Sequence, residues 1–256
     1  MYPVLFQIGG FEFYSNAVIL FFGIIFSSIF LMKNVKKYGL SINFLNDYFY
    51  ILVISFFLFG RLGEVFLNFS MYLKEPLKIL YFWDGNFSFF IGIIGVGLVF
   101  YILTFLKKEN FLKWIDASFL PFLMGIMFIS IADFMAGANY GLPTNGIFGI
   151  VFGSPDVKYT LPIHPVQLYE FFAVLMIFFI VKFFSKKKRF AGVLSSFGFF
   201  LFFVTEFVLE FFRANIDLMI FGFKFHQILF GVLAFFSLVF FIFKSHRNVD
   251  IYAYKK

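Results

Sequence analysis

Seven apolar runs, each near the length of a bilayer crossing, constrain this chain more than any other feature. They fall at roughly 17–33, 45–66, 87–106, 114–133, 166–184, 193–212 and 226–243. An α-helix rises about 1.5 Å per residue, so roughly 20 apolar residues span the hydrocarbon core. In lipid every backbone polar group needs an internal partner, which restricts single spanning segments of this length to helices. The chain therefore reads as an all-α polytopic integral membrane protein with about seven transmembrane helices. Composition agrees, because 62% of the 256 residues are hydrophobic and 14% are charged. A soluble protein this apolar could not cover its surface with polar groups. No internal repeat, low-complexity tract or second soluble domain interrupts the pattern, so residues 1–256 read as a single membrane domain.

The placement of charge sets the orientation. The net charge of +7 does not point to nucleic acid, because the basic residues stand in short clusters between the apolar runs. One set of connections holds Lys33, Lys36, Lys37, Lys107, Lys108, Lys113, Lys182, the run 186–189, Lys244, Arg247, Lys255 and Lys256. The other holds Arg61, Lys74, Lys78, Lys158, Arg213 and Lys224. The basic excess belongs in the cytoplasm, which puts the N-terminus outside and the C-terminus inside. Residues Met1 to Gly10 carry no basic stretch before an apolar run, so no cleavable signal peptide is expected. Cysteine is absent, which excludes disulfides, thiolate metal sites and a cysteine nucleophile in this chain.

The longest non-cytoplasmic connection, about 134–165, is punctuated by Gly137, Gly141, Pro143, Gly146, Gly149, Gly153, Pro155, Pro162 and Pro165. Such a segment turns repeatedly instead of forming one helix. Its apolar side chains, among them Ile147, Phe148 and Phe152, are expected to pack on the bundle.

Ionisable residues inside apolar segments carry the most information, since each is costly unless paired or hydrated. Arg61 and Glu64 share a helix face at i, i+3. Asp133 closes the fourth run. Glu206, Glu210 and Arg213 form a stripe at i, i+4, i+7 of the sixth, and His164 stands just before the fifth. Structural roles exist for each: an Arg61–Glu64 pair at the membrane edge, a snorkelling Arg213, a Glu210–Arg213 bridge, a helix-start histidine. His226 and His246 carry no assignment. The functional reading is a lipid headgroup site. Arginine binds phosphate through two parallel bonds and stays charged in a low dielectric. Arg61 and Arg213, oriented by carboxylates, would hold an anionic phospholipid.

In order along the chain stand Tyr2-Pro3-Val4-Leu5-Phe6-Gln7-Ile8-Gly9, Gly60-Arg61-Leu62-Gly63 and Trp83-Asp84-Gly85-Asn86-Phe87-Ser88-Phe89. They are followed by Tyr140-Gly141-Leu142-Pro143-Thr144, Phe148-Gly149-Ile150-Val151-Phe152 and His164-Pro165-Val166-Gln167-Leu168-Tyr169-Glu170. Glu210-Phe211-Phe212-Arg213 and Gln227-Ile228-Leu229 complete the series. With these collinear motifs the sequence resembles the prolipoprotein diacylglyceryl transferases, bacterial enzymes of lipoprotein maturation. The resemblance implies a multi-pass protein of the bacterial cytoplasmic (inner) membrane with seven helices and an outside N-terminus. It also implies transfer of diacylglyceryl from phosphatidylglycerol to a lipobox cysteine, with the lipid and the prolipoprotein peptide as partners and no cofactor or metal. Carried onto matching positions, Arg61 and Arg213 bind the lipid phosphate, and Glu210, Tyr140, Gly141 and Gln167 orient or support. Asp133 and His164 are the catalytic candidates.

The pattern departs from the family at several positions. Phe90 replaces a histidine, and Ser15-Asn16-Ala17 replaces Trp-Tyr-Gly. In the stretch matching Gly-Arg-x-Gly-Asn-Phe-x-Asn-x-Glu, the arginine, both asparagines and the acid have become Ser130, Asp133, Ala136 and Ala138. Glu206 stands where the family has a further arginine. Lost cations weaken phosphate binding and leaving-group stabilisation, so a catalytically inactive homologue that keeps the fold and lipid binding is the alternative expectation.

Overall fold

The computed structural model describes the chain apart from residues 1–3, 10, 82–85, 154–156, 187–189, 216–217 and 254–256. Trp83, Asp84 and Gly85 of the third motif therefore lie outside the described residues, as does the side chain of Phe90. Each apolar run forms a helix. In chain order these are α1 (Ser15–Lys37), α2 (Ile42–Leu67), a short α3 (Phe69–Lys74), α4 (Phe89–Leu106), α5 (Phe111–Ala136), α6 (Val166–Phe184), α7 (Val193–Leu209) and α8 (Phe225–Ala253). Five of them, α1, α2, α5, α6 and residues 225–246 of α8, are long and apolar enough to cross a membrane. In α4 and α7 the apolar helices are shorter. The chain is a polytopic helical membrane protein.

Two small hairpins, not expected from hydropathy, lie outside the helices. β1 (Val4–Ile8) pairs antiparallel with β2 (Phe11–Tyr14), and β3 (Met219–Ile220) with β4 (Phe223–Lys224). Gly9 and Gly222 sit at the turns with φ of +56° and +81°, a conformation that glycine adopts at no steric cost. Both runs are too short for a hydropathy window, and their turn residues are the local signal for them.

The fold divides into two compact units, one of residues 35–114 and one of residues 1–34 with 115–256. In the first, α2 and α4 approach through glycine faces. A Cβ on Gly95 would meet Phe59 at 2.2 Å, one on Gly63 would meet Ile91 at 2.6 Å, and one on Gly92 would meet Phe56 at 3.0 Å. Ser88 donates its N–H to the carbonyl of Gly60 at 3.0 Å, tying the start of α4 to α2. Small residues at the crossing let helix backbones approach closely in lipid, where apolar burial supplies no drive. Phe44, Phe100 and Trp114 cluster at the other end, with ring centroids 5.3–5.9 Å apart.

In the second unit α7 packs between α6 and α8, and α5 reaches α7 where Gly198 admits the ring of Phe119. A buried carboxylate fixes the start of α7. Asp116 of α5 accepts from the N–H of Gly192 at 2.7 Å, and from the N–H and hydroxyl of Ser195 at 2.8 and 2.6 Å. It thereby satisfies donors that an isolated helix leaves unmade.

Candidate functional site

The C-terminal end of α7 carries the charged stripe. One helical turn past Glu206, Glu210 ends the helix, and Arg213 follows on the same face. The guanidinium of Arg213 collects three carboxylates. Its Nη1 donates to Glu210 Oε1 at 2.8 Å, and its Nη2 to Glu206 Oε2 at 3.0 Å and to Glu170 Oε2 at 3.2 Å. Glu206 and Glu210 are almost wholly buried. Glu170 comes from the first turns of α6, so the cluster joins two helices.

Lys224 of β4 holds the turn from behind. Its Nζ donates to the carbonyls of Glu210 and Arg213, at 2.8 and 2.6 Å, and to Asn215 Oδ1 at 3.2 Å. The carbonyls at a helix C-terminus have no helical donor, and a lysine supplies one. Sequence reasoning counted Lys224 only as a basic residue on the non-cytoplasmic side, because no local spacing connects it with position 213.

The long connection after α5 forms a strap against this end of α7. Gly141 and Arg213 form an antiparallel bridge: Leu142 N–H donates to the carbonyl of Phe212 at 2.8 Å, and Ala214 N–H to that of Tyr140 at 3.0 Å. Gly141 N–H donates to the carbonyl of His164 at 3.0 Å, and His164 N–H to that of Leu142 at 3.0 Å. A Cβ at Gly141 would lie 2.6 Å from that His164 carbonyl, so the ladder closes only around glycine. Gln167, buried in the first turn of α6, donates Nε2 to the carbonyl of Ala138. The sequence-predicted residues Tyr140, Gly141, His164, Gln167, Glu210 and Arg213 thus share one end of one unit. Asp133 belongs there too: it accepts from Asn139 Nδ2 at 2.7 Å and lies within electrostatic reach of Arg213 and Glu170.

The two catalytic candidates have settled partners. His164 Nδ1 stands 3.1 Å from the Tyr169 hydroxyl, and its ring meets Phe212 edge-on at 5.2 Å. The Asp133 carboxylate is turned to Asn139. Ser130 is fully buried and donates its hydroxyl back to the carbonyl of Ile126 at 2.9 Å, an intrahelical bond with no outward chemistry.

Arg61 belongs to the other unit. It is 1% exposed, and its donors serve backbone carbonyls: Nε to Ile79 at 3.0 Å, Nη1 to Asn86 at 2.8 Å and Nη2 to Lys78. Its guanidinium also lies 5.5 Å from the centroid of the Tyr72 ring and 6.0 Å from that of Phe87. Glu64, three residues on, accepts from Asn68 Nδ2 at 2.7 Å. The i, i+3 spacing left Arg61 and Glu64 free to pair, and no short-range signal announced the carbonyls, which lie 17–25 residues away.

The fold and this site define a multi-pass membrane protein with a buried arginine–carboxylate cluster at one end of its bundle. The family model of the prolipoprotein diacylglyceryl transferases matches residues 3–243. Proteins named phosphatidylglycerol–prolipoprotein diacylglyceryl transferase are similar to it along much of its length. That of Rickettsia akari is 34% identical over 193 residues, 73% of each chain. That of Ehrlichia canis is 36% identical over 187 residues, 71% of this chain and 70% of its own. That of Buchnera aphidicola is 32% identical over 235 residues, 82% and 84% of the two chains. The chain belongs to the prolipoprotein diacylglyceryl transferase family.

Proposed function

We propose that the chain moves a diacylglyceryl group from a phospholipid, phosphatidylglycerol by the names of its relatives, to the cysteine of a lipobox peptide. The observation that carries this reading is the cluster at Arg213, set among matched family motifs: a guanidinium held by Glu210 and partly exposed, beside the strap of Tyr140, Gly141 and His164. A guanidinium so held is preorganised for a phosphate, and preorganised donors stabilise charge developing on a leaving group. In this reading Arg213 binds the lipid phosphate, Glu210 orients Arg213, Gln167 braces α6 against the strap, Asp133 or His164 handles the proton, and Arg61, in the other unit, is a phosphate ligand by motif match alone. Arg61 would have to release at least one of its carbonyls to act as one. No cofactor or metal enters the reaction. The protein would work as one domain of the bacterial inner membrane, crossing seven times with its N-terminus outside, which the sidedness of its lysines supports.

A second reading, a homologue that keeps the fold and binds lipid without turnover, is favoured by the three carboxylates on Arg213. They neutralise the cation that the phosphate needs. The experiment incubates purified protein with phosphatidylglycerol vesicles and a lipobox peptide and follows the mass of the peptide. Peptide gaining a diacylglyceryl group, and losing that gain in Arg213→Ala, supports the transferase. Lipid retention with an unmodified peptide supports the second reading.

A further inference from the structure

Two of the carboxyl groups on Arg213 meet at one nitrogen, and we propose that Glu170 and Glu206 share a single proton whose presence lets Arg213 take the lipid phosphate. This rests on the reading above, in which Arg213 binds the phosphate of phosphatidylglycerol, and concerns the residues that set the charge of that site. Nη2 of Arg213 donates to Oε2 of Glu170 at 3.2 Å and to Oε2 of Glu206 at 3.0 Å. The two carboxyl groups also hydrogen-bond one another. An ionised carboxylate has acceptors only, so a bond between two such groups requires one of them to carry a proton. Glu206 is 3% exposed and the side chain of Glu170 13%. Little water is there to separate like charges, and two carboxyl groups so placed hold one proton between them.

The surrounding charges agree. Glu210, on the same turn, binds Nη1 of Arg213 and stands 3.8 Å from Lys224 Nζ. Asp133 of α5 lies within electrostatic reach of Glu170 and accepts from Asn139, and His164 of the strap is turned to Tyr169. With every glutamate ionised, three carboxylates face the two cations Arg213 and Lys224, and a phosphate adds to a buried negative excess. To reach Nη2 the phosphate must displace a carboxyl group from it. An ionised carboxylate so displaced is left buried without a counter-charge, a strongly destabilising arrangement. A protonated one leaves no stranded charge. The guanidinium is open to an anion in other respects, since its Nε has no acceptor and the side chain keeps 15% exposure. Glu170 and Glu206 are thus positioning residues: they act on the phosphate through Arg213.

The test measures retention of labelled phosphatidylglycerol by the delipidated full chain in neutral detergent, from mildly acidic to alkaline pH. The phosphodiester keeps one charge across that range, so a pH dependence belongs to the protein. Because the bound state needs the proton, retention should be full on the acidic side. It should fall as the pair releases its proton, by about tenfold per pH unit beyond that point. E206Q places an amide N–H where the proton was and cannot release it, so its retention should stay level. E170Q should behave alike and decides if E206Q does not fold, with melting midpoints at each pH separating lost binding from lost structure. Both variants keep Asp133, His164, Glu210 and Lys224, so a decline that survives in them belongs to those groups. Infrared difference spectra of the wild type should show a carboxylic acid C=O band lost at alkaline pH and missing from E206Q. Level wild-type retention, a decline unchanged in both variants, or absence of that band overturns the proposal. The transferase reading fails separately. Retention that falls with pH only in the wild type, with the peptide unmodified, supports this inference and removes that reading. Peptide modification by a protein whose retention is level does the reverse.

Discussion

Asn34 of α1 donates its side-chain Nδ2 to the backbone carbonyl of Ala117 in α5, at 3.0 Å. That carbonyl is the one Pro121 leaves without a helical donor, since proline at position i has no N–H for the oxygen at i−4. The amide thus repairs a gap that the sequence of α5 itself creates, at a position buried inside the protein.

Asn34→Leu should therefore cost about 1–2 kcal/mol, because it orphans a buried carbonyl. The same change in a Pro121→Ala background should cost less, since α5 then supplies its own donor. Thermal unfolding of the single and double variants in detergent gives the coupling. Equal losses in both backgrounds would show that the amide does not answer the proline.

Arg213→Lys should fail to rescue function although it keeps the charge. One ammonium cannot match the fork that reaches Glu210 on one nitrogen and Glu170 and Glu206 on the other. A loss of roughly 10²-fold or more in peptide modification is expected. Glu210→Gln, which keeps an acceptor, should lose less. Initial rates with the lipobox peptide order the variants, and an Arg213→Lys rate near wild type would refute the fork's role.

Arg61→Lys should loosen the segment between α2 and α4. A lysine has no planar fork to reach the carbonyls of Ile79, Lys78 and Asn86 together. Faster amide exchange across residues 75–81 is expected, with exchange in α6 and α7 unchanged. Unaltered exchange across 75–81 would show that the carbonyl contacts do not hold the segment.

Reporter fusions after Lys37, Lys108, Lys188 and Lys256 should all report cytoplasm, and a fusion near Lys158 the opposite side. A non-cytoplasmic signal at Lys108, Lys188 or Lys256 would overturn the orientation.

The helices were legible because a run of some twenty apolar residues has only one spanning solution; the structure extends several of them by a few polar residues, as in α1 to Lys37 and α8 to Ala253. The Glu206–Glu210–Arg213 stripe was legible for a related reason, since i, i+4, i+7 fixes one helix face. What was not legible depends on contacts between elements. Glu170 reaches Arg213 from α6, Lys224 reaches the α7 turn from a hairpin, and Asp116 caps α7 from a position 76 residues upstream of Gly192. On its own helix Asp116 looks like an ordinary polar residue near a membrane edge, and only the folded arrangement reveals the donors it serves.

The glycine faces of α2 and α4 bear on the order in which the chain assembles. These helices mesh through bare backbone, aromatic rings and the main-chain bond from Ser88 to Gly60. Every residue of this contact has been synthesised by position 106. During translation the α2–α4 hairpin is complete while Glu170, Glu206 and Arg213 are still unmade. The charged cluster is consequently a late event, assembled only once the C-terminal half has entered the bilayer.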